Sequence, residues 1–290
     1  MGRVAFQGEH GAFSEAAAVR LLGAGIATVP RATFDLAFRA IDEGAADALL
    51  APVENTLAGS VVRVYDLLLE SRLEIVAETI LPIEHHVIGV QGATLEGLAS
   101  VASHPMALAQ CERFFLGHPK LKRVPAEDTA GSVRDVLARG DKSAAGIAGR
   151  PAAERYGGVI LAESVQDNPE NFTRFALLAP GEADGRSPRS AAVAEMLDKV
   201  GSRRTGGATK LSLALRLAHR PGALLAALEP FAKHEINLLK IESRPIHGRP
   251  WEYQFFLDVQ TERLERLNEA LVAVRGATSF LRALGTYAPA

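Results

Sequence analysis

The feature that most constrains the fold is an alternation, through the first 180 residues, of short, largely apolar runs with amphipathic helical patterns. Strand-length runs recur at residues 3–6, 26–30, 47–51, 73–81, 84–90, 99–103, 121–125, 144–148, 159–162 and 172–179. Strands that are apolar along their whole length are buried on both faces, with helices as the cover, so the pattern predicts a parallel α/β architecture. Helix starts sit between the runs: Ser14 before 15–22, Thr33 before a helix with Phe34, Ala37, Phe38 and Ile41 on one face, and Ser60 before 61–70. Pro105 suits a first helical turn, and Asp128–Ser132 opens a helix that Gly140 ends.

Beyond Thr209 the periodicity resets. Leu211, Leu213, Leu215 and Leu217 alternate as in a half-buried strand, and Pro221-Gly222 opens a helix carrying Leu224, Leu225, Leu228 and Phe231, which Pro230 should kink. Strands at 238–243 and 251–259, a helix with Leu264, Leu267, Leu271 and Val274, and a last strand at 280–284 complete the order βαββαβ, a ferredoxin-like small domain. The stretch 181–207, rich in Gly, Ser and Arg, reads as a linker around a short helix at 191–200, with Arg203-Arg204 on a solvated loop.

Composition restricts the class of partner. The 290 residues carry 32 basic and 34 acidic side chains, a net charge of -2, and no basic run, so nucleic acid and anionic membrane are disfavoured and small solutes favoured. The single cysteine, Cys111, forms no internal disulfide, and no Cys/His spacing suggests a metal. With neither a leader pattern nor a bilayer-length apolar segment, a cytoplasmic location is expected.

Three places stand out chemically. The run Gln166–Phe175 sets a hydroxyl, Thr173, beside a guanidinium, Arg174, at a strand entrance where a rigid element can aim them. Asn55 and Thr56 follow a buried strand and precede a glycine and a helix start, the place where open α/β sheets bind ligands. His104 lies at a helix start, where free amides favour anions. The loop Gly8–Phe13 fits neither a dinucleotide fingerprint nor a P-loop, and leaves helix-start amides able to hold a carboxylate.

Taken in order, the stretches Gly8-Glu-His-Gly-Ala-Phe-Ser-Glu15, Pro52-Val-Glu-Asn-Thr-Leu-Ala-Gly59, His104-Pro-Met-Ala-Leu-Ala-Gln-Cys111, Asp128-Thr-Ala-Gly-Ser132 and Asn171-Phe-Thr-Arg-Phe175 resemble prephenate dehydratases. Arg220-Pro-Gly-Ala-Leu224 and Ile241-Glu-Ser-Arg-Pro245 resemble the ACT regulatory domain that such enzymes carry. The resemblance implies a two-lobed catalytic region similar to type II periplasmic binding proteins over 1–180, with one lobe at about 1–80 and 165–180 and the other at 81–164. The linker 181–207 and an ACT domain at 208–290 would follow. The linker is longer than the family leads one to expect.

The implied activity is that of a carbon–oxygen lyase, which expels carbon dioxide and hydroxide from prephenate to leave phenylpyruvate, without metal or cofactor. Thr173, Asn55 and Arg174 match the catalytic motifs, with Thr56 where a serine is usual and Met106 where a glutamine is common. Thr173 would donate to the leaving hydroxyl or relay a proton from a partner, and Arg174 would be a ligand or a brace. Ser14, Thr56, Ser60, His104, Thr129 and Phe175 would bind substrate, partly through helix-start amides. L-Phenylalanine would bind at a subunit interface of a homodimer or homotetramer, between Gly222, Ala223, Leu224 and Leu225 on one side and Asn237, Leu238, Glu242, Ser243, Arg244 and Pro245 on the other. Arogenate as substrate, or a small-molecule sensor without turnover, are the alternatives.

Overall fold

A computed structural model describes residues 2–181, 189–201, 207–246 and 248–290. The expected Arg203-Arg204 loop and residues 182–188 of the expected linker therefore lie outside the described residues, whereas the helix expected at 191–200 is present as Ala191–Gly201. Two compact units are present, one of residues 1–65 with 79–176 and one of 66–78 with 177–290.

The first unit is built on two sheets, with residues 73–78 and 177–180 of the first sheet counted in the second unit. One has the strand order Ala27–Arg31, Arg3–Gln7, Ala48–Asn55, Phe172–Pro180, Leu73–Pro82, with the short Gly59–Ser60 strand paired to Ala48–Asn55. Its first three strands pair in parallel, as continuous burial of Val4–Phe6 and Ala48–Ala51 predicts. The other sheet runs Val159–Ala162, His86–Gly89, Ala144–Ala148, Ser100–Ser103, Lys122–Pro125. This sheet is mixed rather than parallel throughout: His86–Gly89 is antiparallel to both of its neighbours, while the Ser100–Ser103 pairings are parallel. Apolar runs identify strands but carry no direction, and this is the strand by which the chain enters its second sheet.

Two cap assignments also change. The first helix is Phe13–Leu22 with Ala12 at its N-cap, so Ser14 lies inside the first turn, and Ser60 sits in a strand ahead of the helix Val62–Glu70. Thr33, His104 and Asp128 do cap their helices, accepting from Leu36 N, Met106 N and Gly131 N.

The second unit holds a four-stranded antiparallel sheet in the order Asn237–Ile246, Arg249–Thr261, Thr209–Arg216, Phe280–Tyr287, with helices Ala223–Lys233 and Leu264–Ala277. This is the expected βαββαβ domain. Leu211, Leu213, Leu215, Leu257 and Val259 pack on Phe231, Leu267 and Val274 in one core. Pro230 is accommodated within a helix that continues to Lys233. The strand Thr209–Arg216 is not half-solvated, however. Lys210 and Ser212, which alternate with the leucines, are buried too. They join Glu78 and Asp258 in a charged layer: Lys210 Nζ lies 3.0 and 3.1 Å from the Glu78 carboxylate and 3.8 Å from Asp258. Arg282 closes the same surface on the end of the 62–70 helix, donating to Leu69 O at 2.6 Å and Ser71 O at 2.7 Å.

Candidate active site

Two crossing segments, 82–86 and 163–173, are joined by backbone and side-chain hydrogen bonds. Ile83 N donates to Asn171 O at 2.8 Å, Val165 N to His85 O at 2.8 Å, and His85 N to Gln166 Oε1 at 2.9 Å. Asp167 N donates to Gln110 O, and its carboxylate accepts from Glu112 N and Arg113 N at a helix start. On the other side, Thr56 N donates to Phe172 O, and the Thr56 hydroxyl donates to Glu170 O and accepts from Phe172 N, each at 3.0 Å. The strand entrance at Thr173 is thus clamped from both sheets.

Within the clamp runs a chain of side-chain amides. Asn55 Oδ1 accepts from Leu57 N at 3.0 Å and Ala58 N at 2.8 Å, so its amide nitrogen faces the other way. That nitrogen donates to Thr173 Oγ1 at 2.9 Å, Asn171 Oδ1 at 2.7 Å and Phe172 O at 3.1 Å. Asn171, with no exposed surface, donates in turn to Gln110 Oε1 at 3.1 Å. The Thr173 oxygen is therefore an acceptor in this chain, and its own hydrogen has no acceptor among the described residues.

A cavity of about 370 Å³ opens onto this group. Thr173 and Asn55 line it together with Ser14, His104, Thr129 and Phe175. Arg174, Thr56 and Ser60 are not on its wall. Arg174 turns to Glu54 Oε2 at 3.0 Å and the Tyr65 hydroxyl at 3.4 Å. No lysine or arginine is among the described residues lining the cavity, which presents instead the first turns of the helices at Phe13 and Thr129. An anion placed there meets backbone N–H groups and the positive ends of helix dipoles rather than a point charge. Gly8 and Gly11 in the loop ahead have φ of 114° and 86°, and a Cβ on Gly11 would come within 2.8 Å of the Ala152 Cα, so glycine is required there.

Burial is the first cause of each titration shift in and beside the cavity. It lowers the His85 pKa, and it raises that of the Asp128 carboxyl. Cys111, buried beside Asp167, is pushed up to about 12 and stays a thiol. Among the described residues no group of three or more His, Cys, Asp or Glu is placed to hold a metal ion.

In the second unit, Gly222 has φ of 76° at the N-cap of Ala223–Lys233, Ala223 is buried, and Leu224 and Leu225 are exposed. A cavity of about 170 Å³ is lined by Ala223 and Leu224 with Arg220, Trp251 and Tyr253. Asn237, Leu238, Ser243 and Pro245 are exposed on the edge strand, Glu242 pairs with Lys240 at 3.3 Å, and Arg244 pairs with Asp66 at 2.7 Å. None of the residues 237–245 lines that cavity.

Sequence reasoning did not single out His85, Gln110 or Asn171. The last two stand inside stretches it quoted, but their meeting joins positions 61 residues apart.

Comparison with known proteins completes the assignment. Residues 4–183 match the family model for prephenate dehydratase and residues 212–276 that for the ACT domain. An arogenate dehydratase/prephenate dehydratase of Arabidopsis thaliana is 39% identical over 304 residues, covering 98% of this chain and 68% of its own. A bifunctional chorismate mutase/prephenate dehydratase of Neisseria gonorrhoeae is 35% identical over 287 residues, covering 98% and 74%. Among solved structures, a prephenate dehydratase from Arthrobacter aurescens in complex with L-Phe superposes with a TM-score of 0.82 at 30% identity, covering 99% of this chain and 90% of that one. A structure described as a novel type of quorum quenching acylase matches with the same TM-score at 31% identity, covering 99% and 98%.

These matches define an α/β lyase of the dehydratase type with an appended ACT domain. The chain belongs to the prephenate dehydratase family.

Proposed function

We propose that the chain converts prephenate to phenylpyruvate in phenylalanine biosynthesis, with Thr173 as the hydrogen-bond donor to the departing hydroxyl. The observation that carries this reading is the polarity of the Asn55–Thr173 bond: an amide nitrogen donates to Oγ1, so the hydroxyl hydrogen remains for the substrate. In the reaction the C–C bond to the ring carboxylate breaks, its electron pair enters the ring, and the C–O bond breaks with its pair on oxygen. One proton is taken up, and water, carbon dioxide and phenylpyruvate leave. The leaving carboxylate gives up its charge as carbon dioxide, so a wall with helix-start amides and no cation orients it without holding that charge strongly in the ground state.

Asn55 positions the hydroxyl, while Ser14, His104, Thr129 and Phe175 shape the cavity around the ring and carboxylates. Arg174 acts as a brace that fixes its strand on Glu54 and Tyr65, and Thr56 and Ser60 serve the loop that holds Asn55. The nucleophile–base pairing that an acylase needs has no counterpart at Thr173, whose Oγ1 meets an amide nitrogen.

Residues 1–180 serve as the catalytic region, 208–290 as the regulatory domain and 181–207 as the connection. Phenylalanine is the effector, bound where the Gly222–Leu225 helix start of one subunit approaches the 237–245 strand of another. The exposed Leu238, Leu239 and Ile241 on the edge strand support such a homo-oligomer. No described helix is long and apolar enough to cross a membrane, and the protein is assigned to the cytoplasm as part of this reading.

The test is to incubate purified protein with prephenate and, separately, with arogenate, and to measure phenylpyruvate and phenylalanine, each with and without added phenylalanine. Prephenate turnover that phenylalanine inhibits is expected. Turnover of arogenate alone would move the substrate assignment, and turnover of neither would leave a sensor.

A further inference from the structure

The amide chain does not stop at Gln110. Gln110 Oε1 also lies 3.1 Å from His85 Nε2. His85 is 2% exposed and lines the cavity, and its Nδ1 is buried with no partner among the described residues.

The direction of every bond in the chain follows from its far end. Two backbone N–H groups, of Leu57 and Ala58, can only donate, so Asn55 Oδ1 is the oxygen and Nδ2 the donor. The atom of Asn171 that receives that donor is therefore its oxygen, which leaves the Asn171 nitrogen to donate to Gln110. The Gln110 atom in contact with both Asn171 and His85 is then an acceptor, and only a protonated Nε2 can satisfy it from the histidine side. The lone position, Nδ1, points the same way: a buried acceptor without a partner is tolerated more often than a buried N–H without one.

We infer that His85 is a positioning residue, held as the neutral Nε2–H tautomer, and that its donation to Gln110 anchors the chain which presents Asn55 to Thr173. This rests on the dehydratase reading for its catalytic consequence, though not for the tautomer. His85 touches no reacting atom in this scheme. It sets where Gln110 and Asn171 stand, and through them how firmly the Thr173 hydroxyl is aimed. Hydrogen-bonded chains of this kind lose more than one bond's worth of order when an end is removed.

The full chain allows two readouts. In the first, prephenate turnover is compared among the native protein, His85→Gln and His85→Asn. A glutamine amide reaches about as far as the imidazole Nε2 and can still donate to Gln110, whereas an asparagine amide reaches only the Nδ1 position. His85→Asn is expected to lower kcat by about tenfold to a hundredfold, with KM changed less than about threefold, and His85→Gln to recover most of the loss. Equal loss in both variants, or no loss in the asparagine variant, would overturn the inference. In the second, nitrogen NMR of the imidazole-labelled native protein, assigned by the signal missing in a His85 variant, is expected to show one Nε2–H ring that stays neutral at pH values above about 6.5. An Nδ1–H ring, or one that protonates in that range, would overturn it. If the native protein turns over neither prephenate nor arogenate, the dehydratase reading fails while the NMR result still decides the tautomer.

Discussion

Two buried polar networks in this chain are built from different groups and end in different ways. The one in the cleft consists of neutral amides, Gln110, Asn171 and Asn55, each fixing the orientation of the next, and it ends on the Thr173 hydroxyl, whose hydrogen has no acceptor among the described residues. The one in the second unit consists of charges: Lys210 faces Glu78 and Asp258, and Asp258 accepts from Ser212 at 2.5 Å, which also meets the Tyr287 hydroxyl at 2.7 Å. Glu78 also accepts from Ala290 N at 3.1 Å. A chain that ends on a free hydroxyl hydrogen can act on a ligand, and a buried cluster of paired charges fixes its own surroundings.

The contrast can be broken by exchanging one group in each network. Asn55→Asp keeps the oxygen that accepts from Leu57 and Ala58 but replaces the donor to Thr173 with an acceptor. It is expected to lower kcat by about 10² to 10³, far more than the thermal midpoint, which falls only by as much as the lost donor to Asn171 Oδ1 and Phe172 O costs, as steady-state kinetics and calorimetry would show. Lys210→Met should do the reverse. It leaves Glu78 and Asp258 buried without their cation, at a cost of about 3–5 kcal/mol in chemical denaturation, with kcat changed little where the protein remains folded. If Lys210→Met abolished turnover in fully folded protein, the division between the two networks would fail.

A smaller effect separates them by pH. Burial lowers the pKa of His85, and burial with the nearby Arg150 lowers that of His86. The unfolded chain therefore binds protons that the folded one does not once pH falls below the unfolded value of about 6.5, and stability drops as pH falls through that point. The urea midpoint should be level above about pH 7 and decline below it, with a shallower decline in His85→Gln. A midpoint that rose on acidification would contradict burial of a neutral ring.

Much of this was legible in the sequence. The apolar runs located the strands, the reset at Thr209 located the regulatory βαββαβ pattern, and Thr173 and Asn55 were picked out by their places at a strand entrance and after a buried strand. What escaped has physical reasons. Apolar continuity does not encode direction, so the run at 84–90 gives no sign that His86–Gly89 is antiparallel to its neighbours. Alternation of leucines in 211–217 reads as a half-buried strand and does not distinguish a solvated face from the buried layer in which Lys210 and Ser212 lie. Gln110 and His85 carry no local signature, because their roles arise from contacts across 25 to 61 residues of sequence.

The most direct measurement is the turnover of prephenate by Thr173→Ala and Thr173→Ser beside the native protein. Alanine is expected to lower kcat by about 10² to 10⁴, and serine, which keeps an oxygen to accept from Asn55 and a hydrogen to donate, by several times less. Unchanged turnover in the alanine variant, or equal losses in the two, would contradict the role of Thr173 as donor.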